Sequence, residues 1–157
     1  MDSLLKSYLS KHNLYYIEYK HPPVSSVEES KSLKVKVPGM HCKTLFLKDD
    51  KGKFYLIGMK ADKRLNTSSL KKVLNAKKLN FASPTELKEV LNLAPGSVSI
   101  FGIINSKNTS LIIDEDVWSA DLVGFHPNLN TSTLVLNHEN LEKFYNSLNA
   151  EKQIIKL

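Results

Sequence analysis

The chain has 157 residues, 41% apolar and 24% charged, which suits one globular domain spanning 1–157 and excludes a disordered, collagen-like or coiled-coil chain. The single cysteine, Cys42, rules out a disulfide framework and a multi-cysteine zinc site, and no apolar run approaches the roughly 20 residues of a membrane helix. The net charge of +6 is unevenly spread: residues 1–80 carry 17 basic and 7 acidic side chains, a net of +10, and residues 81–157 carry 5 and 9, a net of −4. Such asymmetry fits one face built for a polyanion. A compositional origin competes with it, because the chain holds 21 lysines to one arginine. The N-terminal stretch MDSLLKSYLSKHN has no apolar centre of the secretory kind, so a cytoplasmic protein without membrane contact is expected.

In chain order, Asp2 caps a first helix with Leu4, Leu5, Tyr8 and Leu9 at helical spacing. Leu14–Tyr19 reads as a strand that His21-Pro22-Pro23 breaks. Ser25 or Ser26 ahead of Glu28-Glu29 resembles a capping pattern, which predicts a short helix to about Leu33. A turn at Pro38-Gly39 leads into two strands, Cys42–Lys48 and Phe54–Met59, the clearest hairpin of the chain. Asn66 or Thr67 caps a helix with Leu70, Val73 and Leu74, and Phe81 closes a short strand. Ser83-Pro84 opens a helix with Leu87, Val90 and Leu91 that ends before Pro95-Gly96. Ile100–Asn105 and Ser110–Asp114 read as two strands joined through Ser106–Thr109, and Leu122–His126 and Thr133–Leu136 as two more. Asn137 caps a last helix with Leu141, Phe144, Tyr145 and Leu148. Helices interspersed with short, often hairpinned strands imply an α+β fold with a mixed, largely antiparallel sheet flanked by helices. Neither standard glycine-rich phosphate loop is present, which argues against a nucleotide enzyme.

Four segments set polar residues beside Gly or Pro at strand ends: HPPV from His21, GMHCKTLFLK from Gly39, APGSVS from Ala94 and FHPNLNT from Phe125. Lys43 opens an otherwise apolar strand, and alternation puts it on the face of Leu45 and Leu47. An ammonium at the rim of an apolar cavity holds a carbonyl oxygen or a phosphate strongly; a snorkelling lysine is the commoner origin of the pattern. His126, at a strand end before Pro127, is a base, an acid or a hydrogen-bond donor, or else a satisfied turn histidine. Gly96 and Ser97 can turn backbone N–H groups to a ligand, or simply leave a helix. Asn128 is a turn former first and a ligand second. Cys42 points away from Lys43 and reads as a buried thiol. No histidine spacing suits zinc, so neither metal nor other cofactor is expected.

In order and spacing these four segments resemble the YbaK/ProX family, the prolyl-tRNA-synthetase-associated editing domain, and most closely its freestanding PrdX-like alanyl-tRNA(Pro) deacylases, over nearly the whole chain. The resemblance implies a partly curled mixed sheet with flanking helices. It implies a trans-editing enzyme, a carboxylic ester hydrolase acting on mischarged tRNA(Pro), foremost Ala-tRNA(Pro). A synthetic pocket rejects a smaller side chain poorly, so a second site must clear the error. Water would attack with help from a ribose hydroxyl, without a covalent intermediate or metal. Lys43 would anchor the substrate and stabilise negative charge, His126 would position the carbonyl or the ribose, and Gly96 and Ser97 would orient the aminoacyl group or water. Val24, Leu45, Phe46 and Ile57 are the candidate pocket wall, with Thr44 and Asn128 as further substrate contacts. Lys48 and other lysines of the first half would meet acceptor-stem phosphates. Partners would be the tRNA acceptor end and prolyl-tRNA synthetase; because no second amphipathic surface stands out in the sequence, a monomer is expected. Thr44 departs from the asparagine usual in the alanine-specific branch and is more like the cysteinyl-tRNA(Pro) branch, which makes a Cys-tRNA(Pro) deacylase the alternative. A non-catalytic tRNA- or synthetase-binding module of the same fold is the other alternative.

Overall fold

The computed structural model describes residues 1–23 and 36–157. Val24 and the short helix expected up to Leu33 lie outside the described residues. The elements are α1 (Ser3–Lys11), β1 (Ile17–Lys20), β2 (Met40–Asp49), β3 (Phe54–Lys60), α2 (Thr67–Leu74), β4 (Leu79–Phe81), α3 (Pro84–Leu91), a 3₁₀ helix (Ile100–Asn105), β5 (Thr109–Asp114), α4 (Glu115–Trp118), β6 (Leu122–Phe125), β7 (Ser132–Asn137), α5 (His138–Ser147) and β8 (Lys152–Ile155).

Short polar side chains set the helix boundaries. Asp2 accepts a hydrogen bond from the Leu5 amide at 2.7 Å, and Asn66 and Asn137 do the same for α2 and α5. Ser83 and Glu86 close a reciprocal capping box on α3, with Pro84 at the first helical position. Asn75 and Asn92 end α2 and α3 in the left-handed conformation, which asparagine tolerates better than most residues.

The described strands form a mixed sheet in the order β1-β7-β6-β2-β3-β5-β8, with β4 paired to β2. The pairs β1–β7, β6–β7, β2–β3 and β2–β4 are antiparallel, whereas β2–β6, β3–β5 and β5–β8 are parallel. β2 is common to both halves. Its first two residues, Met40 and His41, pair with Val123 and Gly124 of β6; its last three, Leu47–Asp49, pair with β4. Its other edge runs alongside β3 from Cys42 to Lys48.

Each face of the sheet has its own apolar cluster. The main core joins Phe46, Leu56, Leu111, Ile113, Val123, Phe125, Leu134 and Leu136 to α1, α3, the 3₁₀ helix and α5 through Leu5, Leu9, Leu87, Leu91, Ile100, Phe101, Leu141 and Phe144. On the opposite, outer face a smaller cluster joins Leu47, Tyr55, Ile57, Met59 and Ile112 to Leu70 of α2 and Leu79 of β4.

Two sequence expectations are corrected. Ile100–Asn105 is a 3₁₀ helix: Ser99, fully buried, accepts from the Phe101 amide at 3.0 Å, and Ile100, Phe101 and Ile103 are buried without strand pairing. An apolar run buried all round carries no period that separates strand from helix. Consequently β5 has no hairpin partner before it and pairs in parallel with β3. Strand β8 and the single turn α4 were not anticipated. β8 is short and half-exposed, and its partner β5 lies about 40 residues earlier.

Gly39 sets the start of β2. Its φ is +87°, and a Cβ there would lie 2.6 Å from Leu122 Cβ and 2.8 Å from the Leu122 carbonyl oxygen. Only glycine allows β2 to begin this close to β6. Gly39→Ala therefore costs about 1–3 kcal/mol through the left-handed backbone and the clash, read as a lower urea midpoint with an unchanged slope.

Candidate active site

Register and alternation place the candidate residues. Met40 and Cys42 pack against the main core and Phe46 is part of it, so His41, Lys43 and Leu45 project from the outer face. Lys43 pairs with Met59, which belongs to the outer cluster. In β6, Val123 and Phe125 are main-core residues, so Gly124 belongs to the outer face; His126, the first residue after the strand, sits beside His21, which bonds Thr133 next to Gly124 on that face.

β2 and β6 run in parallel, with His41 opposite Gly124. Lys43 and His126 each lie two residues beyond that pair, on the same face, where the two strands part. Among the described residues no strand pairs with that edge of β2 again until Leu47 meets β4. The result is a fork with Lys43 on one arm and His126 on the other. Diverging parallel strands leave a crevice at their carboxyl ends, a recurrent place for ligands. Gly124 at the base of the fork carries no side chain; a Cβ there would fall 2.9 Å from Thr133 Cγ2.

His126 is half-buried, and its Nδ1 donates to the Ser132 carbonyl at 3.0 Å. Burial lowers its pKa; the bond to Ser132 opposes this and His21 adds to it. The neutral ring so favoured carries its proton on Nδ1, leaving the Nε2 lone pair as an acceptor. His21 stands beside it, ring centroids 6.0 Å apart, with Nδ1 donating to the Pro22 carbonyl at 2.9 Å and Nε2 bonded to the Thr133 hydroxyl at 2.9 Å. His21 and Thr133 therefore join the site. The HPPV segment signalled His21, but only the β1–β7 pairing shows that it reaches His126.

Lys43 is half-buried. Burial lowers its pKa, while the negative charge of Asp62 pulls the other way. A partly desolvated ammonium acts on a nearby oxygen more strongly than one in bulk water.

Thr44 faces the main-core side, opposite Gly58, whose own side-chain position would touch Ile100. Gly96, at φ +84°, and Ser97, whose amide donates to the Ala94 carbonyl at 3.1 Å, form the turn that leads to Ile100. They sit on that same side, and no hydrogen bond among the described residues ties them to Lys43 or His126. Asn128 is left-handed at φ +64°; both polar atoms of its amide are buried with no hydrogen-bond partner among the described residues, and Oδ1 lies 3.7 Å from where a Cβ of Gly102 would be. The arm bearing His126 on the outer face thus presents Asn128 toward the 3₁₀ helix.

The wall candidates divide between the two faces. Leu45 and Ile57 belong to the outer cluster, while Phe46 stacks on Phe54 in the main core, ring centroids 5.1 Å apart. Leu45, two residues along the same face, is the nearest of them in sequence to Lys43. Lys48 points away from Lys43, over the Phe54 ring, and is paired with Glu86 at 2.6 Å. The Cys42 thiol is pushed up to about 12 by burial and donates to the Met40 carbonyl at 3.5 Å, which leaves it un-ionised at neutral pH.

This fork stands in a chain that belongs to the aminoacyl-tRNA editing domain family, whose sequence pattern matches residues 21–144. The prolyl-tRNA editing protein ProX of Acetoanaerobium sticklandii is 33% identical, over 86% of this chain and 84% of that protein. The prolyl-tRNA synthetase associated domain-containing protein 1 of Xenopus laevis is 27% identical, over 96% and 94%. A crystal structure of a candidate trans-editing enzyme for prolyl tRNA synthetase shares the fold, with a TM-score of 0.76 over the whole of this chain and 98% of that one, at 17% identity. Among the described residues no helix is long and apolar enough to cross a membrane.

Two measurements check the local chemistry. Native Cys42 should react with a thiol reagent at pH 8 at least a hundredfold more slowly than in urea, since a pKa near 12 leaves little thiolate. A histidine whose pKa falls on folding binds fewer protons folded than unfolded. Its contribution is present above the ordinary value of about 6.5 and lost as pH falls through the depressed one. The urea midpoint of His126→Gln should therefore fall less between pH 7 and pH 5 than that of the wild type.

Proposed function

We propose that the chain is a trans-editing deacylase that hydrolyses the ester of mischarged tRNA(Pro), with Ala-tRNA(Pro) as its main substrate. The observation that carries this reading is the register of the β2–β6 fork, where Lys43 and His126 each follow the His41–Gly124 pair by two residues, in a chain of the aminoacyl-tRNA editing family. The similarity to a protein named for prolyl-tRNA editing supports the choice of tRNA.

The ester carbonyl lies beside Lys43, whose ammonium stabilises the negative charge that gathers on the carbonyl oxygen. The oxygen of water bonds to the carbonyl carbon, and the bond from that carbon to the ribose oxygen breaks. The departing ribose oxygen takes up the proton that water gives, leaving free amino acid and tRNA with its terminal hydroxyls restored. The neighbouring ribose hydroxyl relays this proton. His126 Nε2 accepts a hydrogen bond from that hydroxyl and fixes its direction, while Nδ1–H stays on the Ser132 carbonyl. The un-ionised Cys42 thiol faces away from Lys43, and this route needs no covalent intermediate.

Asn128 supplies a buried amide that has no hydrogen-bond partner among the described residues. It is the residue best placed to meet a polar group of the substrate on the inner side of the fork. Gly96 and Ser97 shape the turn behind Thr44, and Leu45 adds apolar surface beside Lys43. Proline is excluded by size, the sense in which a second site complements a synthetic pocket.

The test is single-turnover hydrolysis of Ala-tRNA(Pro), Cys-tRNA(Pro) and Pro-tRNA(Pro) by the wild type and Lys43→Ala. Alanine should be released preferentially, and Lys43→Ala should slow release by about a hundredfold or more. Preferential release of cysteine would reassign the substrate. Release of neither, with tRNA still bound, would overturn the enzymatic reading.

A further inference from the structure

We propose that Phe81 and the lysine cluster Lys71, Lys72, Lys77 and Lys78 form a track for the RNA backbone, holding the 3′ end and the acceptor stem while the ester lies at Lys43. The inference rests on the functional reading above and deepens it by assigning the tRNA-binding surface.

The cluster surrounds a surface depression of about 490 Å³ lined by Ser68, Lys71, Lys72, Asn75, Ala76 and Lys77, with no carboxylate in its wall. Lys72, Lys77 and Lys78 are exposed and Lys71 half-exposed. Among the described residues none of these four is within ion-pair distance of a carboxylate, whereas Lys48, Lys53, Lys60, Lys63 and Lys143 each are. The acidic group beside them is Asp50, which accepts hydrogen bonds from the Lys77 and Lys78 amides at 2.7 and 3.2 Å. Four positive charges thus stand against one negative.

Helix chemistry explains half of this. Lys71 and Lys72 lie in the last turn of α2, where cations complement the helix dipole. Lys77 and Lys78 lie beyond the Asn75 cap, in the connection to β4, and no helix end calls for them.

Topology puts the cluster and the active site on one face. α2 packs through Leu70 onto the outer face of the sheet, the face that carries Lys43. Lys78 precedes Leu79, which pairs with Asp49, six residues along β2 from Lys43. At about 3.3 Å per residue the separation is about 20 Å. A stacked strand advances about 3.4 Å per nucleotide, so about six nucleotide steps separate the two. That carries the chain from the terminal ester past the unpaired 3′ end into the paired stem.

Phe81 lies between the two. It pairs with Leu47, four residues from Lys43, and the residue is 71% exposed on the outer face. An exposed aromatic beside a basic surface is a stacking platform for an unpaired base. The lysines act as point charges on phosphates, positioning the RNA without reading its sequence.

The experiment compares wild type, Phe81→Ala and the quadruple Lys71→Gln, Lys72→Gln, Lys77→Gln, Lys78→Gln variant, all substitutions at the surface, with folding checked by circular dichroism. Affinity for an uncharged tRNA(Pro) transcript is measured from 50 to 200 mM KCl. Single-turnover hydrolysis is followed on Ala-tRNA(Pro) and on an alanylated CCA trinucleotide, which ends short of the lysines. The quadruple variant should lower the slope of log affinity against log salt by about three, weaken binding tenfold or more, and shrink the preference for full tRNA over trinucleotide by a similar factor. Phe81→Ala should weaken binding roughly tenfold with the salt slope unchanged. Unchanged affinity and slope in the quadruple variant would overturn the inference, including the case in which the surface serves an acidic protein instead. Because binding uses uncharged tRNA, failure of the wild type to hydrolyse either substrate would defeat the functional reading and leave the track to be judged on affinity alone.

Discussion

The architecture depends on a divided edge of β2. A strand normally keeps one neighbour on each side, because every backbone N–H and C=O withdrawn from water needs a partner. β2 keeps β3 on one side and exchanges β6 for β4 on the other, between His41 and Leu47. The interval lets the two halves of the sheet diverge while remaining covalently and sterically one body. The same interval sets Lys43 and His126, from segments far apart in sequence, each two residues past the His41–Gly124 pair, Lys43 on backbone paired to β3 and His126 next to the last pair of β6 with β7. Groups mounted on strand ends hold their geometry better than groups on a free loop.

The pleat of the sheet then separates the tasks. Cys42, Thr44 and Phe46 turn to the main core, while His41, Lys43 and Leu45 turn to the outer face. Charge follows the same division. Lys48, on the core side, meets Glu86 of α3 and contributes to packing, whereas among the described residues the depression at the end of α2 is lined by lysines and no carboxylate. Self-repulsion among like charges opposes the folded state. A cluster that persists despite it is better explained by a polyanionic partner than by stability.

Much of this was legible in the sequence, for identifiable reasons. The β2–β3 hairpin and the capped helices rest on local patterns, and local patterns survive folding. Lys43 and His126 stood out one by one, since a polar residue on an apolar strand and a histidine before proline are visible without a structure. That both follow the same fork was not legible, because it needs the register of a parallel pair joining residues more than 80 positions apart. The pairing of Lys48 with Glu86, 38 residues away, was hidden for the same reason. That Leu45 and Ile57 lie on one face and Phe46 on the other follows from alternation once both ends of β2 are known to lie in a sheet. The apolar run at Ile100 misled because residues buried on every side show no period.

Both ends of the strand order need late parts of the chain: the outer strand β1 pairs with β7, and β8 is itself the outer strand beside β5. During synthesis β1 waits for more than a hundred further residues before its partner exists, with Ile17 and the half-buried Tyr19 on the face that β7 will extend. Long-range pairing of this kind makes folding slow relative to local helix formation, and an unpaired strand edge is a template for wrong partners in the meantime. A polar composition at that edge, with Glu18 and Lys20 alternating along β1, keeps the waiting strand from pairing with copies of itself. Glu18 then changes occupation once the chain is complete, accepting the Ser132 hydroxyl at 3.0 Å. The same carboxylate serves as a safeguard for the nascent chain and as a fastener in the finished one.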